Sequence, residues 1–242
     1  DVDQTVLIDK SNRFAALGVA GVAAANKYIV KFADWRRPDG GALSVLVVGF
    51  DLNTGVGGPW NLVAGRIEDL READAVVIDD LYRDKLGITH LGQSVEINGH
   101  RARVVGFTHG IRTFTQSPYV FTRFSNAQLY TNTTADKTSY VLLSLDRNAN
   151  PSAVIQRLRT LLRDVEIIPA PEFAARTQFF WLFTTGAGVA VLAGALLGLV
   201  IGMVITGQTL YATTVDRLPE YATLRAMGAP ARYLHRVILT QA

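Results

Sequence analysis

Runs of alternating apolar and polar residues over the first two thirds of the chain predict several short β-strands. The clearest pair occupies residues 94–97 and 100–107, on either side of Asn98-Gly99. Asparagine and glycine both tolerate positive φ angles, which a two-residue hairpin turn requires, so this pair predicts a hairpin. Further runs predict strands at residues 1–8, 28–35, 43–50, 75–78, 119–122, 140–145 and 165–168.

Helical spacing occurs at three places among these strands. Short helices are predicted at residues 13–17 and 79–86, and Gly87 would close the second. A longer helix begins at Asn150-Pro151, where Val154, Ile155 and Leu158 fall on one face. Hairpins mixed with a few helices predict an α+β domain over residues 1–171.

From Glu172 the pattern becomes helical, and residues 177–215, 39 positions, contain no Asp, Glu, Lys or Arg. About 20 apolar residues cross a bilayer, and a helix over this stretch would be about 58 Å long. We therefore predict one long helix at 172–212 with its membrane-crossing part near 181–205. Phe179, Phe180 and Trp181 would anchor it at one membrane interface. The alternative is a buried core helix of a soluble protein, which the length and the missing charges disfavour.

Small residues recur at every fourth position of this apolar segment. One face of the helix would carry almost no side chain, so the backbone of a second helix could approach it closely. Glycine is common in transmembrane helices in general, but five consecutive small positions on one face favour a helix–helix interface. The five positions are Gly186, Ala190, Gly194, Gly198 and Gly202.

The residues after the apolar segment predict a short amphipathic helix at 213–229. Pro219 suits the first turn of a helix, and Glu220 is favourable near its positive end. Gly228 suits the helix terminus, and Pro230 can open the next helix over residues 230–242. That next helix would place four apolar residues together, namely Tyr233, Leu234, Val237 and Ile238. A short amphipathic helix between two longer ones can lie in a groove of a partner and transmit force.

This segment resembles the FtsX/MacB family of ABC-transporter permeases. In that family the second transmembrane helix is followed by a pattern close to Val-x-x-Arg-x-x-Glu-Ile-Gly-x-Leu-Arg-Ala-Leu-Gly-Ala. The matching residues here are Glu220, Leu224, Arg225, Ala226, Gly228 and Ala229, together with Val215 after a shift of one residue. The chain departs from the pattern at Tyr221, Ala222 and Met227, and Val215 and Arg217 stand one residue closer together. The run from Arg217 to Ala226, including Pro219, is similar to the DevC-like branch of the family.

A second region, residues 86–106, resembles the periplasmic core domain of the same family. It contains Leu86-Gly87-Ile88, then Gly92-x-x-Val95-x-Ile97-Asn98-Gly99, then Val104-Val105-Gly106. The resemblance implies an α+β extracytoplasmic domain attached to a transmembrane helix of a four-helix permease in the bacterial inner membrane. Residues 1–175 would be periplasmic and residues 213–229 cytoplasmic. Counting Lys and Arg does not orient the helix, because four arginines precede it closely and four follow it.

The resemblance also implies partners. An ABC ATPase subunit would hold the ATP and dock on the short helix at 213–229, the coupling segment. This chain would bind no cofactor itself. The permease would be a homodimer embedded in membrane lipid, working with a periplasmic adaptor and an outer-membrane channel to export a lipid, glycolipid, peptide or drug. The residues of the ATPase-coupling interface would be Leu218, Glu220, Tyr221, Leu224, Arg225, Met227 and Gly228.

Composition excludes several other functions. The chain has no cysteine, which rules out disulfides, cysteine-bound zinc and thiol catalysis. Although the pI is 9.3, the basic residues form no dense stripe, so nucleic acid is not expected as a partner. The sequence has no Gly-x-x-x-x-Gly-Lys-Ser/Thr loop, so ATP hydrolysis is assigned to a partner and the chain is not expected to be an enzyme. The carboxylate pair Asp79-Asp80 is interpreted as a helix cap rather than a cation site.

Two further hypotheses stay open at this stage. A membrane-anchored sensor or regulatory binding protein, including a regulator of cell-wall hydrolases, would combine the same α+β domain with the same membrane helix. Additional hydrophobic spans downstream and a neighbouring ATPase would favour the permease, whereas a kinase or regulatory domain would favour the sensor. A membrane hydrolase ranks third, because the sequence offers no nucleophile–base pair.

Overall fold

The computed structural model describes residues 6–112, 117–180, 183, 186–230, 232–233 and 236. The chain divides into two compact units, Asp1–Ile168 and Pro169–Ala242. Some predicted features lie outside the described residues: positions 1–5 of the first predicted strand, Trp181 of the aromatic anchor, and Leu234, Val237 and Ile238 of the helix predicted after Pro230.

The first unit mixes strands with short helices, as the sequence predicts for an α+β domain. Its described strands are β1 (Ile8–Asp9), β2 (Val22–Arg36), β3 (Ala42–Phe50), β4 (Leu62–Ala64), β5 (Ala75–Asp79), β6 (Ser94–Ile97), β7 (His100–Thr108), β8 (Tyr119–Arg123), β9 (Lys137–Thr138) and β10 (Tyr140–Leu145). Its α-helices are α1 (Asn12–Leu17), α2 (Arg83–Leu86), α3 (Phe124–Tyr130) and α4 (Pro151–Leu161). Two 3₁₀ helices lie at Ile67–Arg71 and Asp80–Tyr82.

Six strands of this unit pair in a closed ring. The main sheet has the order β10-β2-β3-β8-β5-β7-β4, and β6 pairs with both β2 and β7. The pairs therefore run β2–β3–β8–β5–β7–β6 and return to β2, with β3–β8 and β5–β7 parallel and the others antiparallel. Closing the ring leaves β10 and β4 as the outer strands of the main sheet.

Buried side chains from all six strands of the ring form the largest core cluster. Its biggest member is Trp35, which is fully buried and donates its Nε1–H to the Leu86 carbonyl at 3.1 Å. Residues at alternate positions of β3, β5, β7 and β8, such as Phe50 and Phe121, form a second cluster on the other face. A third cluster joins α1 and α4 to β2 and β10. Side chains alternate between the two faces of the sheet along each strand, so both faces are apolar and each is buried in its own cluster.

Gly49 of β3 allows α3 to lie directly against the sheet. A Cβ added at Gly49 would stand 2.2 Å from the Cβ of Ala127, far inside the contact distance of two carbons. Ala127 itself is completely buried. Only glycine therefore permits this closeness between strand and helix.

The hairpin predicted at Asn98-Gly99 is confirmed. The φ angles of the two residues are 48° and 79°, as a type I′ turn requires. Asn98 also ties the turn to its surroundings, because its Oδ1 accepts from Asp34 N at 2.9 Å and its Nδ2 donates to the Tyr130 carbonyl at 2.6 Å.

Three sequence predictions for this unit differ from the structure. The strand predicted at 165–168 is absent: the Ile167 side chain packs against the cluster beneath α4, and its carbonyl accepts from Arg159 Nη2 at 3.0 Å. The segment predicted as one helix at 79–86 has three parts. Asp79 ends the buried strand β5, a 3₁₀ helix covers Asp80–Tyr82, and α2 covers Arg83–Leu86. Gly87 closes the last piece in the left-handed conformation, as predicted. The strand predicted at 28–35 extends back to Val22, because β10 pairs with that portion.

The second unit is helical. It contains α5 (Ala170–Phe179), α6 (Gly186–Asp216) and α7 (Leu218–Ala226). The sequence places the change from the long helix to the coupling helix at 212–213, whereas the structure places it at the single non-helical residue Arg217. Pro219 gives the physical reason, since it has no N–H to donate to the Val215 carbonyl and its ring would crowd that oxygen.

Candidate functional site

The small-residue positions all lie on α6. A step of four residues turns the helix by about 400°, so each position is displaced by about 40° from the one before. Gly186, Ala190, Gly194, Gly198 and Gly202 therefore form a strip that winds slowly around one side of the helix. A Cβ added at any of the four glycines would meet no atom within 4 Å. The strip is open in the described structure.

The length and polarity of α6 suit a bilayer. Residues Gly188–Asp216 form one helix that is long and apolar enough to cross a membrane, and its large apolar side chains are mostly exposed. Twenty-nine residues span about 44 Å, against about 30 Å of hydrocarbon. The hydroxyls of Thr209 and Thr213 donate to the carbonyls four residues earlier, at 2.9 and 2.8 Å. These hydroxyls thus find their partners within the helix itself.

The start and end of α7 follow from its proline and glycine. Pro219 and Glu220 lie in the first turn, where the missing N–H costs nothing and the negative charge is favourable. At the other end Gly228 has a φ of 94° and donates to the Arg225 carbonyl at 3.0 Å. Ala229 N donates to the Leu224 carbonyl at 3.1 Å, which completes a glycine-terminated cap. The prediction that Gly228 ends this helix is confirmed.

The predicted coupling residues lie along one half of α7 and just beyond its end. At about 100° per residue, the five members within α7 fall on one continuous arc of about 160°, in the order Glu220, Leu224, Tyr221, Arg225 and Leu218. Tyr221 and Leu224 are half-buried, whereas the remaining members are exposed, with Met227 72% exposed beyond the end of the helix. The structure thus gathers five of the seven residues on one half of α7, while Met227 and Gly228 follow its last residue.

The acidic pair in the first unit is structural. Asp79 is fully buried and accepts three hydrogen bonds, from Leu81 N at 3.2 Å, Thr108 Oγ1 at 3.0 Å and Ile111 N at 2.7 Å. The interpretation of this pair as a helix cap is therefore confirmed for Asp79. Asp80 lies 2.9 Å from His109 Nδ1. Within the ranges that the structure describes, no cluster of three or more metal-ligating side chains occurs.

A polar cleft in the first unit was not found by sequence reasoning. Lys27, Arg71 and Arg123 line it, although they are far apart in the chain. Each belongs to a different element, and the parallel pairing of β3 with β8 brings those elements together. No motif or local spacing in the sequence signals this arrangement.

Comparison with known proteins identifies the β-rich unit. The family described as MacB-like periplasmic core domain matches residues 3–161, which is more than half of the chain. The chain belongs to this family. The resemblance to FtsX/MacB-type permeases that the sequence shows at residues 86–106 is thereby confirmed, and the DevC-like branch stays a prediction.

Solved structures support the same fold for the MacB-like domain. The extracellular domain of the noncanonic ABC-type transporter YknZ from Gram-positive bacteria has a TM-score of 0.52 at 18% identity, covering 65% of this chain and 83% of that one. The periplasmic region of MacB from Actinobacillus actinomycetemcomitans has a TM-score of 0.50 at 15% identity, covering 64% and 73%. A comparison with curated proteins gave no match.

Proposed function

We propose that this chain is part of the permease subunit of an ABC exporter. The observation that carries the proposal is the order of its parts. A MacB-like periplasmic core domain at residues 3–161 is followed by an apolar helix of membrane-crossing length and then by the short helix α7. The residues of α7 also match the family pattern that follows the second transmembrane helix. A sensor would not need this last element.

In this proposal the four parts of the chain have separate roles. Residues 1–171 form the extracytoplasmic domain, and residues 1–175 lie on the periplasmic side of a bacterial inner membrane. Residues 172–212 hold the membrane span. Residues 213–229 form the cytoplasmic coupling segment, and residues 230–242 begin the next transmembrane helix. The chain does no ATP chemistry of its own and transmits the motion of an ATPase to the periplasmic domain.

The coupling segment would bind the ATPase as a helix in a groove. One half of α7 carries the predicted contacts, with Tyr221 and Leu224 near its middle, so a groove could enclose that half of the helix. Glu220 and Arg225 are exposed at opposite ends of the helix and would set the register by ion pairs with the ATPase. A rigid α6 joined to α7 by one non-helical residue would carry the displacement across the membrane.

The assembly would be a permease homodimer with two ATPase subunits, surrounded by lipid. The open strip of small residues on α6 supports a close helix–helix contact. A periplasmic adaptor and an outer-membrane channel would extend the path outward, and the cargo would be a lipid, glycolipid, peptide or drug. These assignments follow from the family resemblance.

Reconstitution of the full-length permease with its ATPase tests the coupling. The variants Glu220→Ala and Leu224→Arg remove a charge and insert one at the proposed contact. Because truncation of a central interface residue costs about 2 kcal/mol or more, we expect the ATPase to bind Leu224→Arg about thirtyfold more weakly. Permease-stimulated ATP hydrolysis should fall accordingly.

Matched controls change the same residue types in the first unit. Glu68→Ala and Leu161→Arg alter exposed side chains there and should leave stimulation unchanged. If both α7 variants stimulate the ATPase as well as the parent does, α7 is not the coupling element. If the controls lower stimulation equally, the effect is a general loss of stability.

A further inference from the structure

The cleft lined by Lys27, Arg71 and Arg123 lies where two parallel strands end together. Phe50 of β3 is paired with Arg123 of β8, so both strands stop at the same edge of the sheet. The pairing of Ile29 with Gly49, extended by two residues, places Lys27 of β2 opposite Asp51. Arg71 closes the cleft from the end of the 3₁₀ helix Ile67–Arg71. The cleft is open to solvent and has a volume of about 270 Å³.

Positive charge exceeds negative charge in this cleft. Lys27, Arg71 and Arg123 face Asp51 as the one carboxylate among its lining residues. Within the described part of the chain, none of the three cations forms an ion pair with a carboxylate. The exposed side chains of Asn53 and Ser125 add an amide and a hydroxyl at the rim. The lining therefore offers mostly hydrogen-bond donors and a net charge of about +2.

Two of the cations are held in position before any ligand arrives. Arg123 donates through Nε to Asn126 Oδ1 at 2.9 Å and through Nη1 to the Arg71 carbonyl at 3.1 Å. The Lys27 ammonium lies 4.6 Å from the centre of the Phe124 ring. Charged groups fixed in this way lose little conformational entropy on binding, which strengthens their contacts with an anion.

Burial lowers the pKa of Lys27, and the nearby charges of Arg13 and Lys10 act in the same direction, while Asp51 opposes them. The charged ammonium is thus less well solvated than one in water. An anion in the cleft would compensate for that loss.

We propose that this cleft binds a phosphate group, held by the side chains of Lys27, Arg71 and Arg123. Phosphate accepts several hydrogen bonds at once, and arginine matches its geometry in the bidentate manner. A space of about 270 Å³ is smaller than the sites of drug-sized ligands, so it fits an inorganic phosphate or a lipid headgroup rather than a whole lipid. This binding site is independent of the coupling role of α7.

Calorimetric titration of inorganic phosphate into the full chain in neutral detergent at low salt tests the proposal. The variants Arg71→Met and Lys27→Met each remove one charge, and Arg71 is exposed while Lys27 is half-buried. We expect each variant to weaken phosphate binding about tenfold, since a hydrogen bond to a charged group contributes about that much. Thermal unfolding of each variant checks that it folds, and Arg71→Met suffices if Lys27→Met does not.

Arg36→Met is the matched control. Arg36 is also an exposed arginine, and it lies nine residues beyond Lys27 on β2, about 30 Å away along the strand. Phosphate binding should be the same in Arg36→Met as in the parent. If Arg36→Met weakens binding as much as Arg71→Met, the phosphate is attracted by overall charge and the cleft is not a site. Absence of phosphate binding in the parent overturns the proposal equally.

Competition identifies the source of the phosphate. Water-soluble dihexanoyl phosphatidylglycerol and dihexanoyl phosphatidylcholine are titrated against bound phosphate. If the phosphatidylglycerol displaces phosphate about tenfold more effectively than the phosphatidylcholine, the site takes an anionic lipid headgroup. If neither lipid displaces it, the site takes free phosphate. Both results support the proposal, and in either case Arg71→Met must weaken the phosphate binding against which the lipids compete.

Discussion

The packing of α3 on β3 gives a prediction whose size can be worked from one distance. In Gly49→Ala the new Cβ would stand 2.2 Å from the Cβ of Ala127, whereas two carbons in contact are about 3.5 to 4.0 Å apart. The strand and the helix must then separate, and such overpacking costs about 1 to 3 kcal/mol. We expect Gly49→Ala to lower the free energy of unfolding by about 2 to 3 kcal/mol.

Replacing Ala127 by glycine removes the methyl group that the new Cβ at position 49 would overlap. Ala127→Gly alone removes a buried methyl group worth about 0.8 kcal/mol and places glycine inside a helix at about 1 kcal/mol, so it should cost about 2 kcal/mol. In Gly49→Ala/Ala127→Gly the new methyl occupies the volume that the old one left. The double variant should then lose only about 1 kcal/mol, and the coupling energy should be about 3 kcal/mol.

The assay is denaturant unfolding of the full chain in neutral detergent, followed by tryptophan fluorescence. Trp35 is fully buried, and replacing Trp60 and Trp181 by Phe leaves it as the sole reporter. If the double variant loses as much stability as the two single variants combined, β3 and α3 do not touch at these positions. That result would refute the packing argument.

Two further predictions concern pH and helix association. Burial raises the pKa of Tyr28 to about 12 from 10.0, so its contribution to stability is present below pH 10 and is lost as pH rises to 12. Between pH 10 and pH 12, the free energy of unfolding of the parent should fall by about 2 to 3 kcal/mol more than that of Tyr28→Phe. On α6, Gly198→Leu should weaken dimerisation at least about tenfold, measured by cross-linking in detergent. Gly207→Leu, about 180° away around the helix, should have no effect; equal dimerisation in both variants would contradict an interface at the strip.

Local signals in the sequence predict part of the fold well. Asn98-Gly99 defines its hairpin because two successive positive φ angles suit few other residues. Gly87 and Gly228 end their helices for the same reason. The 39 uncharged positions at 177–215 predict an apolar helix because charge is expensive in lipid at any register. Each of these features depends on residues that are neighbours in the chain.

Features that depend on pairing between segments far apart in the chain could not be predicted from the sequence. The alanines at the start of β2 have little preference for strands, and β10, more than a hundred residues later, pairs with them. Residues 165–168 have a strand-like composition, but they pack against α4 instead of pairing with the sheet. The closure of the ring by β6 and the cleft at the ends of β3 and β8 also require long-range pairing. No periodicity within one segment contains that information.

The membrane orientation of the coupling segment tests the central claim most directly. Because the chain has no cysteine, single variants such as Glu68→Cys and Arg225→Cys report one position each in the full-length protein. A membrane-impermeant maleimide is applied to cells whose outer membrane is open, and again after the inner membrane is permeabilised. We predict that Glu68→Cys reacts in both conditions and Arg225→Cys only in the second. Labelling of Arg225→Cys while the inner membrane is intact would contradict a cytoplasmic α7, and with it the coupling to an ATPase.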